Sequence, residues 1–339
     1  MMSQLRPNVL RRLVKLAIAL VVLFPAAFLL GELVVRIFFP HNIVPCPYDI
    51  DPRIGPRFRP NSSWIQIGAT GEVRAAVRLN SHGLRCPEFD SRPRVMLIGD
   101  SFTWGAAVPQ EKIFGYLLQA RLPQYQIVNY AMWAHAAPDY WAVYHYFKDE
   151  ARPIRVIVGF FEGNDFVAES RIVKKTASGY VFVPYEPPSR TFAKVRRIVD
   201  GPLFWFLETR SQLFNWLKDA LFLLLFPPQP QQFSLDFTFD MLKGLADEAG
   251  GDGVPVSIVI IPVPPEFPTQ LWPGPQYTDA LVRRLKQAGI QVVDLRPHME
   301  DRQRFFFSRD DRHFNEEGHR MAAEVIFREV FAGGNPSRD

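Results

Sequence analysis

Five short, mostly apolar runs between residues 94 and 295, each separated from the next by helix-like sequence, restrict the fold more than any other feature. They are Arg94 to Ile98, Gln126 to Ala131, Val156 to Phe161, Val256 to Pro262 and Ile290 to Leu295. Runs of this length and composition read as strands buried on both faces. Between them, Lys112 to Arg121 carries Ile113, Phe114, Leu117 and Leu118 at helical spacing, and Pro138 to Glu150 opens on a proline suited to a first turn. Asp240 to Glu248 and Thr278 to Ala288 read as further helices, and a last one runs from Glu316 to about Phe331. This alternation implies a three-layer α/β/α sandwich around a five-stranded parallel, flavodoxin-like sheet, spanning residues 93–335.

Residues 166–233 interrupt the alternation. They open on a hairpin, Arg171 to Thr176 and Tyr180 to Pro184 around Ala177-Ser178-Gly179, and continue through Leu203 to Leu207, Leu213 to Leu217 and the unbroken apolar Ala220 to Phe226. We read this insertion as a helical lid packed over the domain. The alternative is an apolar surface resting on a bilayer or gripping a partner, since such a run would otherwise leave a large apolar patch in water. Its seven final residues are too few to span a membrane.

From Leu16 to Gly31 nothing is charged, and with its apolar flanks the segment approaches the ~20 residues needed to cross ~30 Å of hydrocarbon. Arg6, Arg11, Arg12 and Lys15 precede it with no acid among them. Residues 1–39 are therefore expected to form a cytoplasmic basic tail and one transmembrane helix, with everything after about Ile37 outside the cytoplasm. A cleaved signal peptide is the rival, opposed by the apolar pattern resuming at Leu33 to Phe39. Those four basic residues account for the whole net charge of +4, and the body holds 35 basic against 35 acidic groups. Such a body has no net charge to attract nucleic acid.

Residues 40–92 read as a collar between membrane and domain, with a β-hairpin at Trp64 to Ile67 and Glu72 to Leu79. Cys46 and Cys86 are the two cysteines of the chain, and they are either one disulfide or two core thiols. No metal-ligand spacing and no nucleotide-binding glycine pattern is present, so neither metal nor cofactor is expected.

The first apolar run ends in Gly99-Asp100-Ser101, which places a hydroxyl where the strand must turn outward. Ser101 is either a helix cap or a nucleophile, and a nucleophile needs a base, an orienting carboxylate and oxyanion donors. Asp310-Asp311-Arg312-His313, directly before the last helix, offers Asp310 to orient His313 as the base. Gly163-Asn164-Asp165, after the third run, offers the Asn164 amide as a neutral donor; unaided it reads as an ordinary turn. Ser101 and Asn164 both fall at the carboxyl edge of the sheet, where such sheets carry ligand sites. Asp100, Trp133 and His135 are candidates for the surrounding pocket.

These three blocks, in this order, resemble the SGNH or GDSL hydrolases over residues 93 to 332 without the insertion. The resemblance implies that Ser101 attacks an acyl carbonyl, that His313 is general base and then acid, and that Asp310 orients it. It further implies an oxyanion hole made of the Ser101 amide, the Asn164 side chain and one amide after the second strand. At that place the family pattern expects glycines, whereas this chain has Ala131 and Ala134. Ala131 keeps an N–H to donate, provided its backbone needs no positive φ. The implied function is an extracytoplasmic serine esterase or deacylase acting on acyl esters of cell-surface glycans. An O-acyltransferase using the same triad is the alternative. A non-catalytic glycan-binding module or membrane-complex subunit is the other. The expected partners are an acyl-ester substrate, a polysaccharide among them, and the membrane; protein partners stay open.

Overall fold

The computed structural model describes residues 11–332 apart from 13–14, 17, 40–46, 188, 200, 228–231, 268–271 and 309–310. Near the N-terminus stands helix α1 (Phe24–Phe38). Among the described residues, the stretch Val21–Phe38 is the one helical segment long and apolar enough to cross a membrane.

Two antiparallel hairpins follow. The first, β1 (Tyr48–Asp51) with β2 (Gly55–Phe58), has no counterpart in the sequence reading. Its strands are short and polar, and local bonds set its turn: Asp51 accepts from the Arg53 backbone N–H at 2.8 Å, and Gly55 takes a φ of 81°. The second, β3 (Ser63–Ile67) with β4 (Arg74–Arg78), lies where alternation places it, with Trp64, Gln66, Ala75 and Val77 buried on one face. Cys86 beyond it is a buried free thiol, pushed up to about 12 by burial, and Cys46 lies outside the described residues.

The α/β domain begins with β5 (Arg94–Gly99), α2 (Ser101–Trp104), α3 (Phe114–Arg121), β6 (Gln126–Asn129), α4 (Ala137–Ala151) and β7 (Pro153–Phe161). The insertion contributes β8 (Val173–Thr176), β9 (Gly179–Phe182), α5 (Arg190–Val199), α6 (Pro202–Glu208) and α7 (Gln212–Leu225). The domain resumes with α8 (Leu235–Gly251), β10 (Val256–Ile261), α9 (Pro275–Gln287), β11 (Gln291–Asp294) and α10 (Glu316–Ile326). All five domain strands are parallel, in the order β11-β10-β7-β5-β6. This is the flavodoxin-like order, with the reversal between β5 and β7.

Both faces of the sheet are covered, as the apolar runs require. Met96 and Ile98 of β5 point into one core with α4, α8 and α9, while Val95 and Leu97 point into the other with α3 and α10. All four side chains are fully buried, each contributing about 1.5–3 kcal/mol. At the carboxyl end of this central pair, Gly99 lies opposite Gly159. A Cβ on either would overlap Thr103 Oγ1, so the two glycines open the gap into which α2 settles.

Two details refine the sequence reading. β6 stops at Asn129 rather than Ala131, because the Asn129 side chain turns back to accept from the Ala131 N–H at 3.1 Å. The apolar runs Leu213 to Leu217 and Ala220 to Phe226, separate in the sequence, fall on the single helix α7 and its C-cap Phe226, started by Ser211, whose hydroxyl accepts from the Phe214 N–H. That helix lies against α1, with Leu213 beside Gly31. The insertion's hairpin packs on the domain, where Phe182 stacks on His145 and meets the edge of Trp141.

Candidate active site

The switch point between β5 and β7 brings together blocks that lie 212 residues apart in sequence. Ser101 follows β5 as the first residue of α2, and Asp100 caps that helix by accepting from the Phe102 N–H at 2.9 Å. The opposing wall is the loop from β11 to α10. Phe306 and Phe314 pair across it as an antiparallel bridge, and the Phe307 N–H donates to the His313 carbonyl at 3.0 Å. Asn315 pins its far end by capping α10 through the Glu317 and Gly318 N–H groups, each at 3.0 Å. The His313 ring is packed against Phe102, with centroids 4.7 Å apart.

In this setting Ser101 Oγ lies 2.6 Å from His313 Nε2. On the other side of the ring, Nδ1 is hydrogen-bonded to Asp311 Oδ1, and the same oxygen accepts from the His313 backbone N–H at 2.9 Å. The carboxylate found on the imidazole is thus Asp311. Asp310, on which the sequence reading fell, lies outside the described residues. The local signal for Asp311 was a short-range one: an aspartate readily accepts from the N–H two residues on, which swings its carboxylate towards that residue's side chain.

Burial disfavours the imidazolium of His313, yet the charge and hydrogen bond of Asp311, helped by the charge of Asp100, outweigh it and hold the pKa above its ordinary value. For Asp311 burial pulls upward, and the His313 charge and hydrogen bonds reverse it, so this carboxyl stays below its usual range. Asp100 is different. Fully buried, it is pushed up to about 6 despite His313 and the N–H groups of α2. Asp165 is raised well above the carboxylate range by its burial, with the charge of Asp100 adding to the effect.

Asn164 sits at the carboxyl end of β7 on a turn that Asp165 holds: its Oδ2 accepts from the Phe161 N–H and from the Tyr140 hydroxyl, both at 2.6 Å. Asn164 lines a cavity of about 460 Å³ together with Trp133, Ala134, Arg171 and Tyr185. The collar adds Ile54 and Pro56 to its wall, so collar, domain and insertion all border this cleft. Trp133 therefore lies on it. Asp100 is buried under α2, and His135 is buried in the interior, both ring nitrogens without a hydrogen-bond partner and its pKa lowered to about 3 by burial.

Ala131 is not among the residues with positive φ; Ala134 is, at 59°. The Ala131 N–H, expected at the oxyanion, is donated to Asn129 Oδ1 within its own turn. Arg85, which the sequence reading did not single out, is fully buried beneath this region, 4.4 Å from the Trp104 ring centre. It donates to the carbonyls of Gly105 and Val108 and so fixes the chain leaving α2. Chemically, the group is a hydroxyl within hydrogen-bonding distance of one imidazole nitrogen, whose other nitrogen meets a carboxylate.

Residues 267–336, which carry His313 and its loop, match the family model of the SGNH hydrolase-like domain of the acetyltransferase AlgX. This part of the chain is similar to an SGNH hydrolase-like domain. Solved structures with low overall similarity include TesA, at 14% identity over 70% of this chain and 98% of that one, with a TM-score of 0.43. The lipase/acylhydrolase from Enterococcus faecalis gives 15%, 73%, 100% and 0.43, and the psychrotrophic esterase EstA from Pseudoalteromonas gives 9%, 70%, 96% and 0.43. At these values the likeness carries no argument of its own. No curated protein matches the chain.

Proposed function

We propose that this SGNH hydrolase-like chain is a membrane-anchored serine enzyme that cleaves acyl esters outside the cytoplasm. The observation that carries the reading is the 2.6 Å contact of Ser101 Oγ with His313 Nε2, with Asp311 on the far nitrogen. In this mechanism His313 takes the hydroxyl proton as Ser101 Oγ bonds to the acyl carbon. Negative charge gathers on the carbonyl oxygen, facing the Ser101 N–H and the Asn164 side-chain amide. The intermediate collapses, the C–O bond to the leaving alcohol breaks, and His313 returns its proton to that alcohol. Water then attacks the acyl-enzyme with His313 again as base, releasing the acid and restoring Ser101.

The cleft suits an acylated glycan, because Trp133 and Tyr185 offer aromatic surface and Arg171 a hydrogen-bonding cation. An O-acyltransferase is the second reading, favoured by the match of residues 267–336 to an acetyltransferase domain. In it a sugar hydroxyl replaces water in the second half. The basic residues before the apolar helix support a cytoplasmic N-terminus and an external domain.

The test uses the full chain in nanodiscs with p-nitrophenyl acetate and a serine-reactive fluorophosphonate. Turnover and labelling are expected, both absent in Ser101→Ala. Adding an acceptor polysaccharide should speed nitrophenol release and leave acylated sugar if the chain is a transferase. Failure to label Ser101 under any condition would leave a non-catalytic glycan-binding or membrane-complex module as the reading.

A further inference from the structure

We infer that the helical part of the insertion, α5 to α7, is a second membrane contact that lies in the lipid interface beside α1. This rests on the reading of α1 as an anchor and goes beyond the proposed chemistry. The argument starts at Glu32, a carboxylate near the outer end of an apolar helix. It accepts from the Ser211 hydroxyl at 2.7 Å, from the Gln212 and Leu213 N–H groups at 2.9 Å each, and from Arg36 Nε at 2.7 Å. A charge at membrane depth needs such partners, and the first N–H groups of a helix need an acceptor, so each site satisfies the other.

The docking also sets direction. From Arg210 to Leu213 the partners on α1 step back from Arg36, which donates to the Arg210 carbonyl at 3.0 Å, to Gly31. The start of α7 therefore heads back along the apolar helix rather than away from it. Its outer face then carries Leu217, Leu221, Leu223 and Leu224, exposed by 49% to 79%. Monomeric soluble proteins rarely show apolar patches of more than a few hundred Å² in water. Here the patch continues the exposed apolar surface of α1, and that continuity identifies the occupant as lipid acyl chains.

Helix α5 supplies the polar side. Phe192 packs on Phe222 of α7 and on Phe226 at its C-terminal cap, while Arg190 and Lys194 are exposed, and the sequence of α5 holds no acid. A basic helix with an apolar face suits the level of anionic headgroups.

The test is nitroxide depth measurement on the full chain in nanodiscs containing anionic lipid, using Leu224→Cys, Leu29→Cys on α1 and Ser178→Cys at the hairpin tip. A Cys46→Ser background and the burial of Cys86 confine the label. Residue 224 is expected to resemble residue 29, with an oxygen-to-nickel accessibility ratio roughly tenfold above that of residue 178. Leu221→Cys repeats the measurement one turn away. If residue 29 lies in lipid while 224 is as aqueous as 178, the inference is overturned and the anchor stands. A label at 224 shielded from both reagents means that protein covers the face, and overturns it too. If residue 29 is itself aqueous, the anchor reading fails and this inference with it.

Discussion

Replacing Asp311 separates the two contributions that its geometry combines. One oxygen, Oδ1, meets both His313 Nδ1 and the His313 backbone N–H. In Asp311→Asn only the amide oxygen can accept from that N–H, so the tautomer is kept and the charge alone is lost. Two unit charges ~4 Å apart near a protein surface interact by about 4 kcal/mol, which corresponds to a ~10³-fold fall in kcat. Asp311→Ala also removes the orienting contact and is expected to cost ~10⁴-fold or more. The pH profile supplies an independent readout. His313 is a base only when neutral, so its raised pKa puts the acid limb of kcat/KM above the ordinary 6.5, with activity lost as pH falls through it. Without the Asp311 charge, burial remains the largest influence and the limb moves down. The assay is p-nitrophenyl acetate hydrolysis from about pH 4 to 9 for the wild type, both variants and Asp310→Asn. A collapse in Asp310→Asn with Asp311→Asn near wild type would refute the assignment, and equal losses in Asp311→Asn and Asp311→Ala would refute the shared-oxygen argument.

Asn164→Ala should lower kcat by ~10²–10³-fold with KM little changed, measured by steady-state kinetics, if its amide faces the oxyanion. Ala134 holds a φ of 59°, so Ala134→Gly should stabilise the fold by about 0.5–1 kcal/mol in denaturant titration. Gly159→Ala drives a methyl into Thr103 Oγ1 and should cost about 1–3 kcal/mol. Adding Thr103→Ala should restore most of that loss, and failure to do so would show the clash to lie elsewhere.

Much of the domain is legible in the sequence because a strand buried on both faces has to be apolar along its whole length, as Val95 to Ile98 are. The β1–β2 hairpin escapes that signal, since Tyr48–Asp51 alternates weakly and its turn depends on an aspartate and Gly55. The carboxylate on His313 escapes it for a different reason. Asp310 and Asp311 are adjacent and chemically identical, and Asp311 meets His313 on a loop whose ends are pinned by Phe306, Phe314 and Asn315.

The sequence by itself determined the order of strands and helices, because periodicity and turn chemistry are local, and it offered Ser101, Asn164 and His313 as candidates. Only the tertiary structure decided what meets what. It brought Ser101 to His313 across 212 positions, turned the Ala131 N–H inward to Asn129, and set α7 on α1 through Glu32. Each of these depends on hydrogen bonds and close contacts that the folded chain sets, which no local pattern encodes.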